Sequence, residues 1–546
     1  MKLHKIYLSV FCMIVLSLLM TSCDSFLEEK PQDEKTAGQF WKTEADAQSA
    51  VNALYFGGVP YLNNTDVDGG WTPKATMWGG IMSGLFVDKR KDRTFTNASE
   101  GSNFNIESFD ATALKLWHEF YKGISRANFV IANIPAMTGV LTGDKINNFT
   151  AQGKFFRAYG YYYLVKEFGD VPYVDQPYLS LEGIYKERVP AEQVYKNIEA
   201  DLLSIIEGDA LPNKAFYDNG CYVTKAMAQT LLAQVYLQWA GAPLNGGNEY
   251  YTKAANMAMN VVKGGQHILE QANGSSDDLN SAFNVIKTTK TSKEIIFAKE
   301  YNQTSYNVGN SYACRSIGAD AFQWGVFKPG GDVLYNAYLP CDMLINSYHA
   351  DDIRGHEKQF FFRDYSWTDK DGNVVTRTLN NVGNWAWFDE VSLIGGKDGD
   401  YNMPTFRYAE VLLIAAEGLA RTGKEGDAEG EARFYLNQVR KRAGLPNETA
   451  TGDALIQSIL TERFHEFPLE FRIWDDIRRT RLYPEADGLQ SGKLKWVALE
   501  SAKIQNKPDG SIKVGAIPVH ALLWPIPLSE MQANPSLQGH QNPGWN

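Results

Sequence analysis

The feature that most constrains the fold is a recurring helical pattern in which small and large apolar residues share one face. Four segments show the apolar spacing i, i+3, i+4, i+7, fully or nearly: 228–239, 251–262, 408–419 and 432–443. This spacing places a wide apolar stripe on one side of a helix. Breaks that contain glycine or proline, at 241–243 and 423–426, separate the members of each pair. The pattern therefore predicts two helical hairpins of similar size.

The alanines in these stripes predict close helix packing of the tetratricopeptide kind, although no constant repeat length is kept. Two further helix pairs are predicted earlier, 117–134 with 148–168 and 191–207 leading into 224–240. Residues 155–164 are apolar nearly all round, so that helix is expected inside the stack. The predicted fold class is mostly α, a tetratricopeptide-like helical repeat scaffold of four irregular helix pairs, with long loop-rich insertions and few short strands.

Two long irregular stretches interrupt the helical blocks. Residues 57–112 and 270–402 are rich in Gly, Asn and Asp and also carry many Trp and Tyr. Loops of this length are usually functional or disordered, and aromatic residues argue against disorder. We therefore assign the scaffold to about 113–265 and 403–480 and expect function in the two loop-rich regions.

The N-terminus has the pattern of a lipoprotein signal. Lys2 and Lys5 precede an uncharged, mostly apolar run over 6–20, which is short for a membrane span and suited to a signal-peptide core. Small residues then lead to Cys23, as in a lipobox, with Met20 where Leu is usual. We predict a signal peptide at 1–22, a mature chain over 23–546 and acylation of Cys23. An ordinary secretory signal with an incidental cysteine is the alternative.

Charge and cysteine content narrow the classes of partner. The net charge is −11, and −13 once the two N-terminal lysines are removed. An acidic chain without a basic surface argues against nucleic-acid binding. After loss of the signal and acylation, Cys221, Cys314 and Cys341 remain, widely spaced and odd in number. We predict neither a disulfide framework nor a cysteine metal site.

The sequence lacks the common motifs for catalysis and cofactor binding. GxSxG, GxGxxG, Walker and HExxH patterns are absent from the sequence. His349 and His356 flank two aspartates, but a solvated loop is favoured over a metal site. Asp369, Asp371 and Asn373 are spaced somewhat like a calcium loop, although an Asp-Gly hairpin turn explains them better. We predict no cofactor, no metal and no enzymatic activity.

A charged segment near the C-terminus has two interpretations. Glu462 and Glu466 are spaced to share one helix face, with Arg463, Arg472 and Asp475 nearby in the sequence. They form either a catalytic carboxylate cluster or an ion-pair network that joins the last helices to the repeats. The network is favoured, because buried charges without partners are costly. A glycosidase carboxylate pair is defined by its separation in space, so it stays open at this stage.

This segment and several others resemble the SusD/RagB family of outer-membrane glycan-binding lipoproteins. The matching segments, in chain order, are Phe156-Arg157-Ala158, Phe168 to Pro172, Asp352 with Arg354, Arg407 to Arg421, ERFHEFPLEFRIWDDIRR from Glu462, Pro525-Ile526-Pro527, Glu530, Asn534-Pro535 and Gln541 to Trp545. Phe471 stands where the family commonly has Gly. Each motif is short, but together and in this order they span essentially the whole mature chain.

The resemblance implies four tetratricopeptide-like units, binding of an oligosaccharide or polysaccharide without cleavage, and a SusC-like TonB-dependent transporter as partner. It also implies a cell outer membrane protein, lipid-anchored at Cys23, with function carried by loops. Asp24, Glu28 and Glu29 resemble the surface-export signal of such lipoproteins.

Candidate sugar contacts follow from the chemistry of aromatic rings, which stack on the apolar faces of sugars. The candidates, all from the two loop-rich regions, are Trp71, Trp78, Tyr301 and Trp324, with Trp367 and Trp385 behind them. The alternative for each is a ring that only fills the core of its own loop. Two other functions stay open at this stage, a tetratricopeptide-type adaptor that binds a peptide or protein and a glycoside hydrolase.

Overall fold

A computed structural model provides the structure. It describes residues 40–55, 83–87, 106–271, 282–306, 309–310, 312–313, 316–328, 338–470, 472–505, 512–514, 517 and 519–545. The predicted signal peptide, Cys23, Trp71 and Trp78 lie outside these residues. Within them, no helix has both the length and the apolar character that crossing a membrane requires.

Helices dominate the described residues. The α-helices, in chain order, are α1 (Glu44–Asn52), α2 (Ile106–Asn133), α3 (Gly143–Phe168), α4 (Ala191–Glu207), α5 (Lys225–Ala240), α6 (Gly247–Gly264), α7 (Ala282–Thr288), α8 (Gln303–Tyr306), α9 (Asp342–Asn346), α10 (Glu390–Gly395), α11 (Tyr408–Arg421), α12 (Ala432–Arg442), α13 (Gly452–Glu466), α14 (Ile473–Thr480) and α15 (Leu528–Ala533). Consecutive helices pack against each other from α2 to α6, α6 packs against α11, and α11 packs against α12. The predicted fold class is confirmed.

Small residues allow these helices to approach closely. A Cβ atom on Gly418 of α11 would lie 2.4 Å from the carbonyl oxygen of Tyr251 in α6. A Cβ atom on Gly160 of α3 would lie 2.9 Å from Ile124 of α2. Both distances are shorter than van der Waals contact, so a larger residue at either position forces the helices apart. The close packing predicted from the alanine-rich stripes is present.

Helix α3 lies inside the helical stack, as its all-round apolar character predicts. Tyr159, Tyr161 and Tyr163 are each no more than 1% exposed. Arg157 is also buried, and its guanidinium binds both carboxylate oxygens of Asp201 in α4 at 2.7 and 2.8 Å. A buried charge is tolerated there because it is paired in a bidentate geometry.

The strands form only two-stranded antiparallel sheets among the described residues. In chain order they are β1 (Phe86–Val87), β2 (Val171–Pro172), β3 (Arg188–Val189), β4 (Ile295–Lys299), β5 (Leu339–Pro340), β6 (Phe361–Thr368), β7 (Val374–Asn384), β8 (Met403–Arg407), β9 (Leu482–Ala486), β10 (Leu494–Ala498), β11 (Lys503–Gln505) and β12 (Ile512–Val514). The longest sheet is the hairpin of β6 and β7, with Thr368 opposite Val374 beside its turn. The Asp-Gly turn predicted between Trp367 and Val374 is confirmed.

Two hydrophobic clusters organise the molecule. The main core runs through the paired helices and the C-terminal residues up to Trp545. A smaller cluster belongs to the region between the helical blocks, with these buried members: Ile317, Ala321, Phe327, Phe362, Tyr365, Leu379, Trp385, Phe388 and Leu393. The region 316–395 therefore has its own aromatic core, which supports the surface described next.

Candidate functional site

The carboxylates near the C-terminus are paired and enclosed. Glu462 and Glu466 lie on α13, and Arg354 donates to them at 2.7 and 3.1 Å. The same guanidinium binds Asp352 at 2.8 Å. The side chains of all four residues are at most 1% exposed. These carboxylates therefore have no access to a substrate. An ion-pair network is present as predicted, but the arginines named from the sequence have other partners: Arg463 binds Asp476 at 2.9 Å and Arg472 binds Glu410 at 3.1 Å.

Two further arginines complete this network around Glu466. Arg407 donates to Glu466 Oε1 at 2.9 Å and to Glu294 at 2.7 Å, and Arg442 binds the same two glutamates. Burial alone would raise the pKa of the Glu466 carboxyl, but Arg442, Arg407 and Arg354 hold that pKa below its ordinary value. An ionised, fully paired carboxylate of this kind connects elements and does not transfer protons.

An aromatic surface lies on the hairpin side of the smaller cluster. The rings of Trp324 and Trp367 are nearly parallel, with an interplanar angle of 8° and centroids 6.1 Å apart. Both rings are half-buried. Tyr365 follows at 6.0 Å from Trp367. Because alternate residues of a strand point to the same face, Tyr365 and Trp367 of β6 align on one side of the hairpin.

Buried rings hold this surface in place from beneath. Phe327 packs against Tyr365 with centroids 4.8 Å apart, and Phe388 contacts Tyr365 at 5.5 Å. The Tyr365 hydroxyl donates to the Glu390 carboxylate, and burial followed by that contact raises the pKa of Tyr365. The hydroxyl therefore stays protonated at neutral pH, and the ring that supports Trp367 is anchored at its far end.

Polar groups lie beside the aromatic surface. Asp320, in the 3-10 helix Ala319–Trp324, accepts a hydrogen bond at 2.8 Å from the backbone N–H of Asn380. This bond ties the helix that carries Trp324 to the hairpin that carries Trp367. Arg377 is exposed and stands directly opposite Tyr365 in the strand register. Ring faces with a carboxylate and a guanidinium nearby suit a ligand that has both apolar faces and hydroxyl groups.

Two predicted contact residues are more deeply buried than this pair. Trp385 is 9% exposed; its indole N–H donates to Asn284 at 2.7 Å and its ring stacks on Phe388 at 4.8 Å. The ammonium of Lys287 lies 4.4 Å from the centroid of the same ring. Tyr301 is 8% exposed. The structure thus brings Trp324 and Trp367 together, and it places Trp385 beneath them through Phe388 and Tyr365.

One open aromatic ring of the loop-rich region 270–402 was not among the predicted contacts. Tyr306 ends the short helix α8 and is 76% exposed. It belongs to the same loop-rich region as Trp324. The polar run Gln303-Thr304-Ser305 before it is the one sequence signal that could have singled it out, because a ring in a polar run has few apolar neighbours in the chain.

The loops considered for metal binding have local explanations. The Asp369 carboxylate accepts the backbone N–H groups of Asp371 and Asn373, each at 2.9 Å, and so closes the hairpin turn. His356 contacts the Ala350 carbonyl at 2.8 Å. Within the described ranges, no group of three or more His, Cys, Asp or Glu residues is arranged to hold a metal ion.

Comparison with known proteins places this architecture in a family. A model described as the SusD family matches residues 382–545, and one described as starch-binding associating with outer membrane matches residues 25–237. A SusD-like protein P2 from Formosa agariphila is 29% identical over 513 residues, which cover 89% of this chain and 92% of the relative.

Solved structures agree with this assignment at the level of the fold. A SusD superfamily protein from Parabacteroides distasonis has a TM-score of 0.75 at 24% identity, with 94% of this chain and 100% of the other covered. Surface glycan-binding protein A from Bacteroides thetaiotaomicron, solved in complex with laminarihexaose, has a TM-score of 0.65 at 21% identity, with coverages of 92% and 99%. The helical scaffold, the ordered motifs and these matches together show that the chain belongs to the SusD/RagB family of glycan-binding proteins.

Proposed function

We propose that this protein captures an oligosaccharide at the cell surface and delivers it to a SusC-like TonB-dependent outer-membrane transporter. The observation that carries the binding step is the nearly parallel, half-buried pair of Trp324 and Trp367. Sugars present apolar C–H faces that stack on such rings, while their hydroxyl groups need hydrogen-bonding partners. Asp320 and Arg377 are the proposed partners for the hydroxyl groups.

The remaining aromatic candidates take different parts in this proposal. Tyr306 offers an open ring on the same loop-rich region and is the next proposed contact. Trp71 and Trp78 stay proposed contacts from the other loop-rich region. Trp385 belongs to the cluster that supports the surface. Its ring and that of Tyr301 are largely covered, so both make little direct contact with sugar in this proposal.

Binding without cleavage is the second part of the proposal. The enclosure of Glu462 and Glu466 supports it, because both carboxylates of a glycosidase must reach the substrate, and these two are paired with arginine and at most 1% exposed. The aromatic surface supports saccharide binding over a peptide adaptor, which would place its ligand in a helical groove.

Attachment and partner form the third part. We propose that the signal peptide 1–22 is removed, that Cys23 is acylated and that the mature chain 23–546 faces outward from the outer membrane. The description of the family model that matches residues 25–237, starch-binding associating with outer membrane, supports this location. A lipid-anchored chain at that surface suits hand-over of sugar to a transporter barrel.

Affinity electrophoresis of the mature chain through gels that contain single polysaccharides tests the binding step. Retardation by at least one polysaccharide is expected. Trp324→Ala/Trp367→Ala should weaken it by about thirtyfold or more, since each of the two aromatic contacts contributes about 1–3 kcal/mol. Leu489→Ala, at a 76% exposed position on another loop, is the matched control and should migrate like the parent.

Three outcomes of this test oppose the proposal. If the double variant is retarded as strongly as the parent, the surface is assigned to the wrong rings. Release of reducing sugar during incubation would favour a hydrolase. A parent chain that binds peptides and no polysaccharide would favour the adaptor.

A further inference from the structure

A cavity beside the end of helix α1 is separate from the aromatic surface. It encloses about 260 Å³, and its walls come from residues 52–55, from Phe156 of α3, from residues 216–222 and from residues 297–300. None of its described lining residues belongs to the region 316–395. Small-molecule sites commonly enclose about 300–1,000 Å³, so this cavity lies near the lower end and suits a single small ring. The proposed function makes no use of it.

The inner wall of this cavity is aromatic and closed. Phe156, Phe216 and Phe297 are each at most 3% exposed and belong to the main hydrophobic core. The rings of Phe216 and Phe297 pack with centroids 5.8 Å apart, and Tyr55 contacts Phe156 edge to face at 4.7 Å. Because these rings pack into the core behind the cavity, a saccharide chain cannot pass through it. Only the end of such a chain can enter.

Two half-buried tyrosines form the outer wall, and hydrogen bonds hold both of them. The Tyr55 hydroxyl donates to the Gln152 side chain at 2.6 Å and accepts the backbone N–H of Val223 at 2.8 Å. The Tyr222 hydroxyl donates to Asn52 at 3.0 Å. The two tyrosine rings stand nearly perpendicular, with centroids 5.5 Å apart. These rings are fixed before a ligand arrives, so binding loses little side-chain freedom.

One carboxylate in the wall is oriented and still has acceptor positions for a ligand. The two oxygens of Glu300 accept hydrogen bonds from the Tyr217 hydroxyl at 3.0 Å and from the Asn402 amide at 2.8 Å. A carboxylate has about four acceptor positions, so each oxygen keeps one for a ligand. Lys299 also lines the cavity, and these two residues are the charged ones among its described lining. Their opposite signs balance, so charge favours neither an anionic nor a cationic ligand.

We propose that this cavity is a second saccharide site, which holds one neutral sugar unit at the end of an oligosaccharide. The Tyr55 and Tyr222 rings contact the C–H groups of the sugar, and Glu300 accepts hydrogen bonds from two neighbouring hydroxyl groups. A purely apolar ligand would cover the open acceptor positions of Glu300 without supplying donors, which is costly. The inference rests on the proposed saccharide-binding function but uses different residues.

Protection of Cys221 from N-ethylmaleimide on the mature chain tests this inference. Cys221 lines the cavity and is half-buried, so a bound sugar should shield its thiol. Burial raises the pKa of Cys221 to about 11, so labelling is slow and is followed at pH 8.5 by peptide mass mapping.

The probes are glucose, galactose, mannose, xylose and N-acetylglucosamine, with benzyl alcohol as an apolar probe. The acid hydrolysate of each polysaccharide that retards the parent chain is added to this panel. At least one neutral sugar should slow labelling about tenfold when it is present at ten times its Kd, because only the unoccupied fraction reacts.

Variants locate the contacts, each measured against its own labelling rate without sugar. Glu300→Gln loses charge-assisted hydrogen bonds and should raise the sugar concentration that gives half protection by about tenfold. Tyr222→Leu removes a ring from the wall and should raise that concentration by a similar factor. Glu207→Gln, at an exposed position elsewhere, is the matched control and should leave it unchanged. Trp324→Ala/Trp367→Ala should also leave it unchanged, while it weakens polysaccharide retardation.

Each failure has its own signature. Unchanged labelling with every sugar, in a parent chain that polysaccharide still retards, overturns the cavity proposal and leaves the aromatic surface untouched. Protection that Trp324→Ala/Trp367→Ala abolishes and Glu300→Gln keeps shows a single site and also overturns it. Protection by benzyl alcohol and by no sugar assigns the cavity to an apolar ligand instead. Protection of Cys221 by a sugar, in a parent chain that no polysaccharide retards, supports the cavity and overturns only the aromatic surface.

Discussion

The ion-pair network around α13 and the aromatic-rich cluster of the region 316–395 use buried side chains in opposite ways. In the network, Arg354, Arg407 and Arg442 are enclosed and each has carboxylate partners within about 3 Å. The cluster is rich in aromatic rings, and two rings packed against it, Trp324 and Trp367, stay half-buried at the surface. The network uses its polar groups to hold elements together, while the cluster leaves ring faces available.

This difference separates the residues that stabilise the fold from those that are proposed to bind the ligand. Ion pairs with defined partners tolerate little change, because removal of one member leaves the others buried and uncompensated. A hairpin on its own aromatic cluster can change its exposed rings at less cost, since half-buried positions lose less on substitution. Three predictions follow the comparison from the largest effect to the smallest.

The largest effect is expected from Arg354→Met, which keeps an unbranched apolar stem and removes the charged guanidinium group. Asp352, Glu462 and Glu466 would each lose a buried partner, so the free energy of unfolding should fall by about 3–5 kcal/mol in urea titration. Arg433→Ala removes the ion pair with Asp427, whose side chain is 65% exposed. This control should change the free energy of unfolding little. Equal effects of the two variants would contradict the distinction between scaffold pairs and surface pairs.

A smaller, pH-dependent effect is expected at Glu417. Burial alone would raise its pKa, but Arg479 lowers it from 4.5 to about 2. Because the folded pKa lies below the unfolded one, this carboxylate contributes its full stabilisation, about 3 kcal/mol, above about pH 4.5 and loses it as pH falls towards 2.

Urea titrations between pH 7 and pH 2.5 check the Glu417 prediction. Glu417→Gln should flatten this part of the pH profile, whereas Glu207→Gln, at an exposed position, should leave the profile as in the parent. An unchanged acid limb in Glu417→Gln would show that other carboxylates carry the acid sensitivity of the scaffold.

The smallest effect is expected from Trp385→Phe in the aromatic cluster. The change keeps a ring but removes the N–H donor to Asn284, which leaves that buried oxygen without its donor at a cost of about 1–3 kcal/mol. Hydrogen exchange should speed up in β6 and β7 and stay slow in α11. Trp367→Phe, at the half-buried ring, is the control and should perturb exchange less. Uniform acceleration in all helices would show that the two regions unfold together.

Much of the scaffold was predictable because helical periodicity is a local property of the chain. The segments 228–239 and 408–419 lie within α5 and α11, and 148–168 lies within α3. The Asp-Gly turn also identified the hairpin correctly. Boundaries were less predictable. Helix α2 begins at Ile106, inside the stretch expected to be irregular, although Ile106, Phe109 and Ala113 already stand at helical spacing.

The candidate site was only partly predictable. Residue type identified aromatic side chains in the loop-rich regions, but it did not separate exposed rings from covered ones. Trp367 is half-buried on the hairpin, whereas Trp385, directly after β7, is covered by Phe388 and Lys287. Exposure of a loop ring depends on which other loops pack on it. Tyr306 was passed over for the same reason, and Trp71 and Trp78 stay predictions.

The sequence by itself determined the helical class, the pairing of neighbouring helices and the family, because periodicity, turn residues and ordered motifs all act over short distances along the chain. Only the tertiary structure decided which charges are paired and which rings are open. Arg354 binds Glu462, which is 108 residues away in the sequence. Trp324 of the 3-10 helix lies parallel to Trp367 of the hairpin. Burial and charge compensation are sums over such distant contacts, so they exist only once the chain has folded.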